Sequence, residues 1–529
     1  MTVHDTAPRA FAPPAGAAGP AKADLDAAAE RYRRHLPPGR LRVYDVSALD
    51  DLGLAFYAAC YVGDEGFVMD GFGYGATAEE AMVGALGEIS ETAHVDHALK
   101  TAPGANGVSY TAMCRAFGAD SVVDPLRLCL PAGTPYTATT PLKWVGVRRW
   151  PDGAPAWAPR ECVAISPGQW AAHGSEDPRA PTPEGEAQML FRPITCGLGA
   201  GTSVEMALAH GVLELLQRDG NCTSFRAMDR GWSIDLDGLE DPGLVALADH
   251  LEGHGLAMRP KLASTEFGLA NLFVVGEPRD GAPEPRLPIQ FTACGEAVHP
   301  DAEMALRKAA YEFVGARCRK AFMHGPLDAV RRAASDDYLD DYVATFDPAG
   351  EEPRALEAMR DWVHRDGADL AAILSATLFR ETRRVGLGVL PRAPRADWAT
   401  PAARLATVAG RLARAGHPLY WFDASPDGGD TPVVVKTLAP GLEGETMSYY
   451  RIGMRGVRRL LDREPTLAGI GAAPEGAEPV AMTAEDADRL GGPAWFSPAR
   501  AAEIVGSAYP LYREPSSHAV RLTEPDGRR

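Results

Sequence analysis

The stretch Gly211-Val212-Leu213-Glu214-Leu215-Leu216-Gln217-Arg218-Asp219, "GVLELLQRD", reads as an amphipathic helix with one carboxylate among leucines. Segments of the same build surround Glu88 and Glu312: residues 71–91 read "GFGYGATAEEAMVGALGEISE" and residues 295–317 read "GEAVHPDAEMALRKAAYEFVGAR". With Glu88, Glu214 and Glu312 as origins, a glycine lies seventeen residues before each: Gly71, Gly197 and Gly295. A glutamate lies nine before (Glu79, Glu205, Glu303) and an alanine seven before (Ala81, Ala207, Ala305). Glutamate and alanine are common in helices, which explains one such match. Three segments sharing these offsets are an internal repeat.

In each segment turn residues precede a capping residue, Thr77, Ser203 or Asp301, and a glutamate follows in the first turn. Apolar residues then recur at helical spacing. Each segment is expected to run from a strand or turn into a helix, with the origin glutamate two to three turns in. Residues three apart share a helix face, so Glu88 and Glu91 crowd two carboxylates together. That costs a few tenths of a kcal/mol unless a cation neutralises them. The corresponding residue after Glu214 is Gln217, and after Glu312 it is Gly315. If the three helices converge, Glu88, Glu91, Glu214, Gln217 and Glu312 offer oxygen ligands suited to Mg²⁺. Arg218, Lys308 and Arg317, close in sequence, would contact phosphates beyond the metal. An all-oxygen metal cluster beside basic residues points to a nucleotide. A purely structural repeat is the alternative.

The chain of 529 residues is long enough for about three domains or subdomains. Its 46% hydrophobic and 23% charged content suits a globular protein with a sizeable core. The net charge of −18 argues against a chain-wide grip on nucleic acid or anionic membrane, but not against a local basic pocket. Eight scattered cysteines form no C-x-x-C pair and fit a reducing cytoplasm. No signal pattern and no long apolar run occurs, so a cytoplasmic protein is expected. Residues 1–36 read as a disordered Ala/Pro-rich arm ending in a short helix. Residues 37–460 read as one catalytic domain, with subdomains at about 37–185, 186–345 and 346–460. Residues 461–529 form a C-terminal extension. Strands are expected around "LRVYDVSALDDLGLAFYAACYVG", "LANLFVVGEP" and "PVVVKTLAPGL", and a helical stretch over 354–378. The mixture gives an α+β (mixed α/β) fold class rather than a doubly wound sheet.

Other signals carry less. Gly71, Gly73 and Ala76 fit a relaxed dinucleotide-loop pattern, which alone is weak. His94 and His97 lack a third metal ligand at a recognisable spacing. There is no Walker A sequence and no G-x-S-x-G elbow. The tail "YREPSSHAV" reads as an active-site lip or as a turn built on Pro515.

The three segments resemble the ATP/Mg²⁺-binding motifs of the YcaO family: S-A-x-x-E-x-x-E-R, then E-x-x-E-R-D, then R-A-x-x-E-x-x-Q-x-R. The resemblance continues through "TCGLGAGTSVEMA", "HPDAEMAL" and "VVVKTLAPGLE…YYRIGMRG" and covers roughly residues 40–460. Glu88, Glu91, Glu214, Arg218, Asp219, Glu312 and Arg317 match. Gly84 and Thr92 stand where Ser and Arg are usual; Gln217 replaces an acid, Lys308 an Arg and Gly315 a Gln. The resemblance implies a YcaO-like fold, ATP and Mg²⁺ as cofactors, and activation of a peptide backbone amide oxygen by phosphorylation. A nucleophile then yields an azoline, thioamide or amidine in a ribosomally made peptide or a protein. Azoline-forming members often end in a Pro-x-Pro-x-Pro tail; the ending "LTEPDGRR" lacks it and shifts the expectation towards thioamide or amidine chemistry. The expected partners are a precursor peptide or protein and a separate peptide-recognition or sulfur-delivery protein, with self-association left open. The rival readings are a non-catalytic scaffold of the same fold and a nucleotide-dependent small-molecule ligase.

Overall fold

The computed structural model describes residues 11–14, 19–64, 68–172, 174–222, 229–279, 281–444 and 450–524. Each repeat segment is a strand followed by a helix: Val68–Gly75 into Ala78–Thr101, Leu198–Gly201 into Val204–Asn221, and Gly295–His299 into Ala302–His324. The expected caps are in place. Thr77 accepts from the Glu80 amide, Ser203 from Met206, and Asp301 from Glu303 and Met304. Such caps contribute about 1 kcal/mol each.

Packing explains the small residues at matched offsets. A Cβ on Gly73 would lie 1.8 Å from the Ala81 carbonyl oxygen, and one on Gly199 2.1 Å from that of Ala207. The strand therefore lies directly on the helix that follows it. Ala81, Ala207 and Ala305 are all fully buried at this contact. The glycines that suggested a dinucleotide loop serve this close approach instead.

The three repeat strands belong to three different sheets, each at an end of the strand order. Val68–Gly75 ends an antiparallel sheet with Gly39–Asp45 and Ala55–Gly63, the two strands expected on either side of the Asp50–Gly53 turn. Leu198–Gly201 ends a seven-stranded sheet through its pairing with Val433–Leu438. Gly295–His299 ends a five-stranded sheet whose far edge is Arg383–Gly386. The sheets do not follow the linear subdomain division: the seven-stranded sheet also takes Pro103–Ser109, Pro141–Arg149 and Tyr420–Asp423. Packing between repeats is cyclic. The first repeat helix touches its own strand and the second repeat strand, the second helix touches the third strand, and the third helix touches the first strand.

The helical stretch expected over 354–378 is two helices, Pro353–Val363 and Gly367–Ser375. The Asp366 side chain caps the second by accepting from the Asp369 amide, which favours a break over continuation. The expected disordered arm lies partly outside the described residues. Within it Lys22–His35 is a helix docked on the first repeat helix through Ala29 and Tyr32. A C-terminal core around Trp362, Phe496, Tyr509 and Tyr512 joins the 353–375 helices to the last seventy residues. His518 donates its backbone amide to the Met323 carbonyl, fastening that region to the end of the third repeat helix.

Candidate nucleotide and metal site

The cyclic packing turns one face of each repeat helix towards a common cavity of about 740 Å³. Gly84, Gly87, Glu88 and Glu91 line it from the first helix; His210, Glu214, Gln217 and Arg218 from the second; Lys308, Glu312, Gly315 and Arg319 from the third. Seven of the eight candidate site residues therefore share one cavity.

Each origin glutamate is held by a backbone amide in its own repeat strand or, for Glu214, in the residue just before it. Glu88 Oε2 accepts from the Phe72 amide at 2.7 Å, and Glu214 Oε2 from the Gly197 amide at 2.8 Å. Glu312 accepts from the Glu296 amide and, at 2.8 Å, from the Tyr74 hydroxyl. Glu91 is held by the neighbouring repeat, through the Ala200 amide. Burial pushes the Glu88 carboxyl up to about 7 against the pull of the Phe72 amide, with Glu312 and Glu214 adding to the rise. Burial, Glu214 and Glu88 push Glu91 up to about 8. Burial likewise raises Glu312. Crowded buried acids of this kind call for a counter-cation.

Among the described residues no three acidic, histidine or cysteine side chains are close enough to hold an ion by themselves. Mg²⁺ characteristically takes one or two carboxylates and completes its shell with phosphate oxygens and water. The donors here are carboxylates and one amide oxygen, which is the right chemistry for it.

Of the three bases expected at the phosphates, Arg218 and Lys308 line the cavity. Burial works against the Arg218 charge, but Glu296 and Glu214 hold the guanidinium protonated. Arg317 is elsewhere. It is buried, and its Nε and an Nη donate to the two Asp50 oxygens at 2.8 Å each. Helical geometry gives the reason. Position 317 lies five residues past Glu312, about 140° round the helix, whereas position 319 lies within about 20° of it. Arg319 lines the cavity and pairs with Glu514 at 3.6 Å.

Sequence reasoning missed three further residues and left a fourth, Glu514, undecided. The periodicity just described could have found Arg319. Glu296 accepts from Asn221 at 2.7 Å and pairs with Arg218 at 3.6 Å, yet the corresponding residues Phe72 and Leu198 gave no hint of it. Tyr74 had no repeat signal either. Glu514 belongs to the tail segment weighed as a lip or a turn: Leu511, Tyr512, Arg513 and Glu514 line the cavity. Glu514 accepts from Lys320 at 2.6 Å, so the lip is anchored to the third repeat helix. A C-terminal segment thus reaches the site although the Pro-x-Pro-x-Pro pattern is missing. The His94 ring nitrogens face the Ser90 and His35 carbonyls, a structural role.

With this geometry in hand, the similarities to known proteins take on meaning. The sequence profile described as "YcaO cyclodehydratase, ATP- and Mg²⁺-binding" matches residues 72–443, well over half the chain. The chain belongs to the YcaO family. ATP and Mg²⁺ are accordingly its cofactors, and it is an ATP-dependent enzyme. The YcaO protein from Methanopyrus kandleri bound with AMPPCP and Mg²⁺ superposes with a TM-score of 0.52 at 16% identity, covering 82% of this chain and 93% of that one. A heterocyclase in complex with substrate and cofactor gives a TM-score of 0.54 at 15% identity, covering 84% of this chain and 56% of that protein. These likenesses show the shared α+β fold. An uncharacterized protein of Methanothermobacter thermautotrophicus (strain Delta H) is 25% identical over 301 residues, 56% of this chain and 69% of that protein. Among the described residues no helix is long and apolar enough to cross a membrane.

Proposed function

We propose that this YcaO-family chain uses ATP and Mg²⁺ to activate a backbone amide of a ribosomally made peptide or a protein. The amide oxygen attacks the γ-phosphorus of ATP and ADP departs. A nucleophile then adds to the amide carbon, and phosphate leaves carrying the former amide oxygen. A side-chain thiol or hydroxyl gives an azoline, sulfide a thioamide, an amine an amidine. The observation that carries this reading is the convergence of Glu88, Glu91, Glu214, Gln217 and Glu312 with Arg218, Lys308 and Arg319 in one cavity.

The division of labour follows from charge. Glu88, Glu91, Glu214, Gln217 and Glu312 would hold Mg²⁺, which neutralises charge on the phosphoryl oxygens. Arg218 and Lys308 would grip phosphates. Arg218 is restrained by Glu296 and presents a directional fork, whereas Lys308 is a mobile point charge. The backbone amides that grip Glu88 and Glu214 fix those carboxylates before any ligand arrives, so little reorganisation is needed on binding. Arg319, now paired with Glu514, would exchange part of that contact for phosphate.

The heterocyclase neighbour is described in complex with substrate and cofactor, which supports this fold holding both together. We further propose a separate protein that presents the peptide or delivers sulfur. The test is ATP consumption by the purified chain, with and without the candidate peptide and partner, followed by the peptide's mass. Peptide-stimulated ADP release with loss of one water supports cyclisation, and exchange of one oxygen for sulfur supports thioamidation. Nucleotide binding without stimulated turnover by any peptide and partner set would favour the scaffold.

A further inference from the structure

Three residues after each origin glutamate the repeat carries Glu91, Gln217 and, in the third segment, Gly315. The first two bring side-chain oxygens to the cavity wall. The third brings none, and its place is taken from another element. A Cβ on Gly315 would lie 2.7 Å from the Tyr74 Cβ and 3.0 Å from its Cγ, so the tyrosine lies directly against the bare helix backbone. Tyr74 sits on the first repeat strand, which alternates between its faces. Met69, Gly71, Gly73 and Gly75 are the buried set, with the glycines against the strand's own helix; Phe72 and Tyr74 face the third repeat helix. From there the Tyr74 hydroxyl donates to Glu312 Oε2 at 2.8 Å.

The placement is specific to this pair. Counted from the glycine seventeen before each origin, the positions equivalent to Tyr74 are Ala200 and Val298, neither with a polar side chain. The cyclic packing sets the first strand against the third helix. A tyrosine therefore occurs on the one repeat strand that faces the one helix lacking a polar side chain at this position.

We propose that Tyr74 is a positioning residue of the metal–nucleotide site, its phenol standing in for the side chain absent at position 315. Gripped by the Glu296 amide and the Tyr74 hydroxyl, the Glu312 carboxylate is fixed in one orientation towards the cavity. Groups that orient a ligating carboxylate in this way govern metal affinity by about 10- to 100-fold. The proposal rests on reading the cavity as the Mg²⁺–nucleotide site, and the experiment separates the two.

Calorimetric titration of Mg²⁺ into protein with a fixed concentration of non-hydrolysable ATP analogue is the readout. Absence of binding by the unmodified chain would remove the site reading itself. Given binding, Tyr74→Phe keeps the ring against Gly315 and removes only the hydroxyl; Mg²⁺ affinity is expected to fall at least about tenfold with an unchanged melting temperature. Tyr74→Ala is expected to fall at least as far. Tyr74→Gly combined with Gly315→Gln, which removes the Tyr74 Cβ that would otherwise lie 2.7 Å from the new one and refills the space with an amide, is expected to recover much of the loss. Tyr74→Phe binding Mg²⁺ within about threefold of the unmodified chain would overturn the proposal. So would a double variant no better than Tyr74→Ala.

Discussion

Arg317 and Arg319 stand two residues apart on one helix and lead opposite lives. Arg317 is buried on Asp50, and Arg319 opens on the cavity. Arg317→Ala would leave a buried carboxylate without its partner and is expected to cost about 3–5 kcal/mol of stability. That loss would show as a lowered urea midpoint. Arg319→Ala is expected to leave the stability within about 0.5 kcal/mol of the unmodified chain's while weakening nucleotide binding about tenfold, as loss of one charge-assisted phosphate contact should. Swapped outcomes would return the phosphate role to Arg317. At this scale the sequence was readable where it repeats. The three origin glutamates all reached the cavity, because the helix face carrying each is fixed by the alanine seven residues earlier. Arg317 was misplaced because proximity in sequence was taken for proximity on the helix. Glu296 and Tyr74 were invisible because each acts across a repeat boundary.

The elements were legible for the same reason that they pack. A strand lying on its own helix needs glycine on one side and alanine on the other, and that requirement writes itself into fixed offsets. Gly73→Ala is the direct check: its new Cβ would meet the Ala81 carbonyl at 1.8 Å, and neither backbone can yield alone. Destabilisation of at least about 1–3 kcal/mol is expected, read by thermal or denaturant unfolding. The same substitution at Gly87, where the nearest atom to a Cβ is 3.9 Å away, should be neutral or slightly stabilising, since alanine is the better helix former. Equal tolerance at both sites would mean that the strand and helix are less closely seated than described. The order in which three strands and three helices interlock was not legible. Each contact that sets it joins segments more than seventy residues apart, and no local pattern encodes the pairing.

Across the whole molecule, the C-terminal region closes the structure and brings Glu514 to the cavity. His518 lies at the heart of that closure. It is fully buried, within hydrogen-bonding distance of the Tyr338 hydroxyl at 2.7 Å, and surrounded by Phe322, Tyr338 and Tyr342. Burial, with His324 nearby, pushes its imidazole down to about 3. A histidine with a depressed folded pKa contributes stability above its unfolded value of about 6.5, and that contribution is lost as the pH falls towards the folded value. Between pH 7 and pH 5 the loss from this group is about 2 kcal/mol. The melting temperature should therefore fall over that range, and a His518→Gln variant should show a flatter profile than the unmodified chain. Parallel profiles would remove His518 as the titrating group. The long-range assembly was least readable of all: the seven-stranded sheet gathers strands from residues 103 to 438, and the tail that lines the site carries no motif marking it.

The central claim is that three repeated glutamates serve one Mg²⁺-dependent nucleotide site. The most direct measurement is calorimetric binding of a non-hydrolysable ATP analogue to Glu88→Ala, Glu214→Ala and Glu312→Ala, with and without Mg²⁺, after circular dichroism has established that each remains folded. The account predicts that all three folded variants lose Mg²⁺-dependent binding. Retention of the unmodified chain's affinity by any folded one of the three would contradict it.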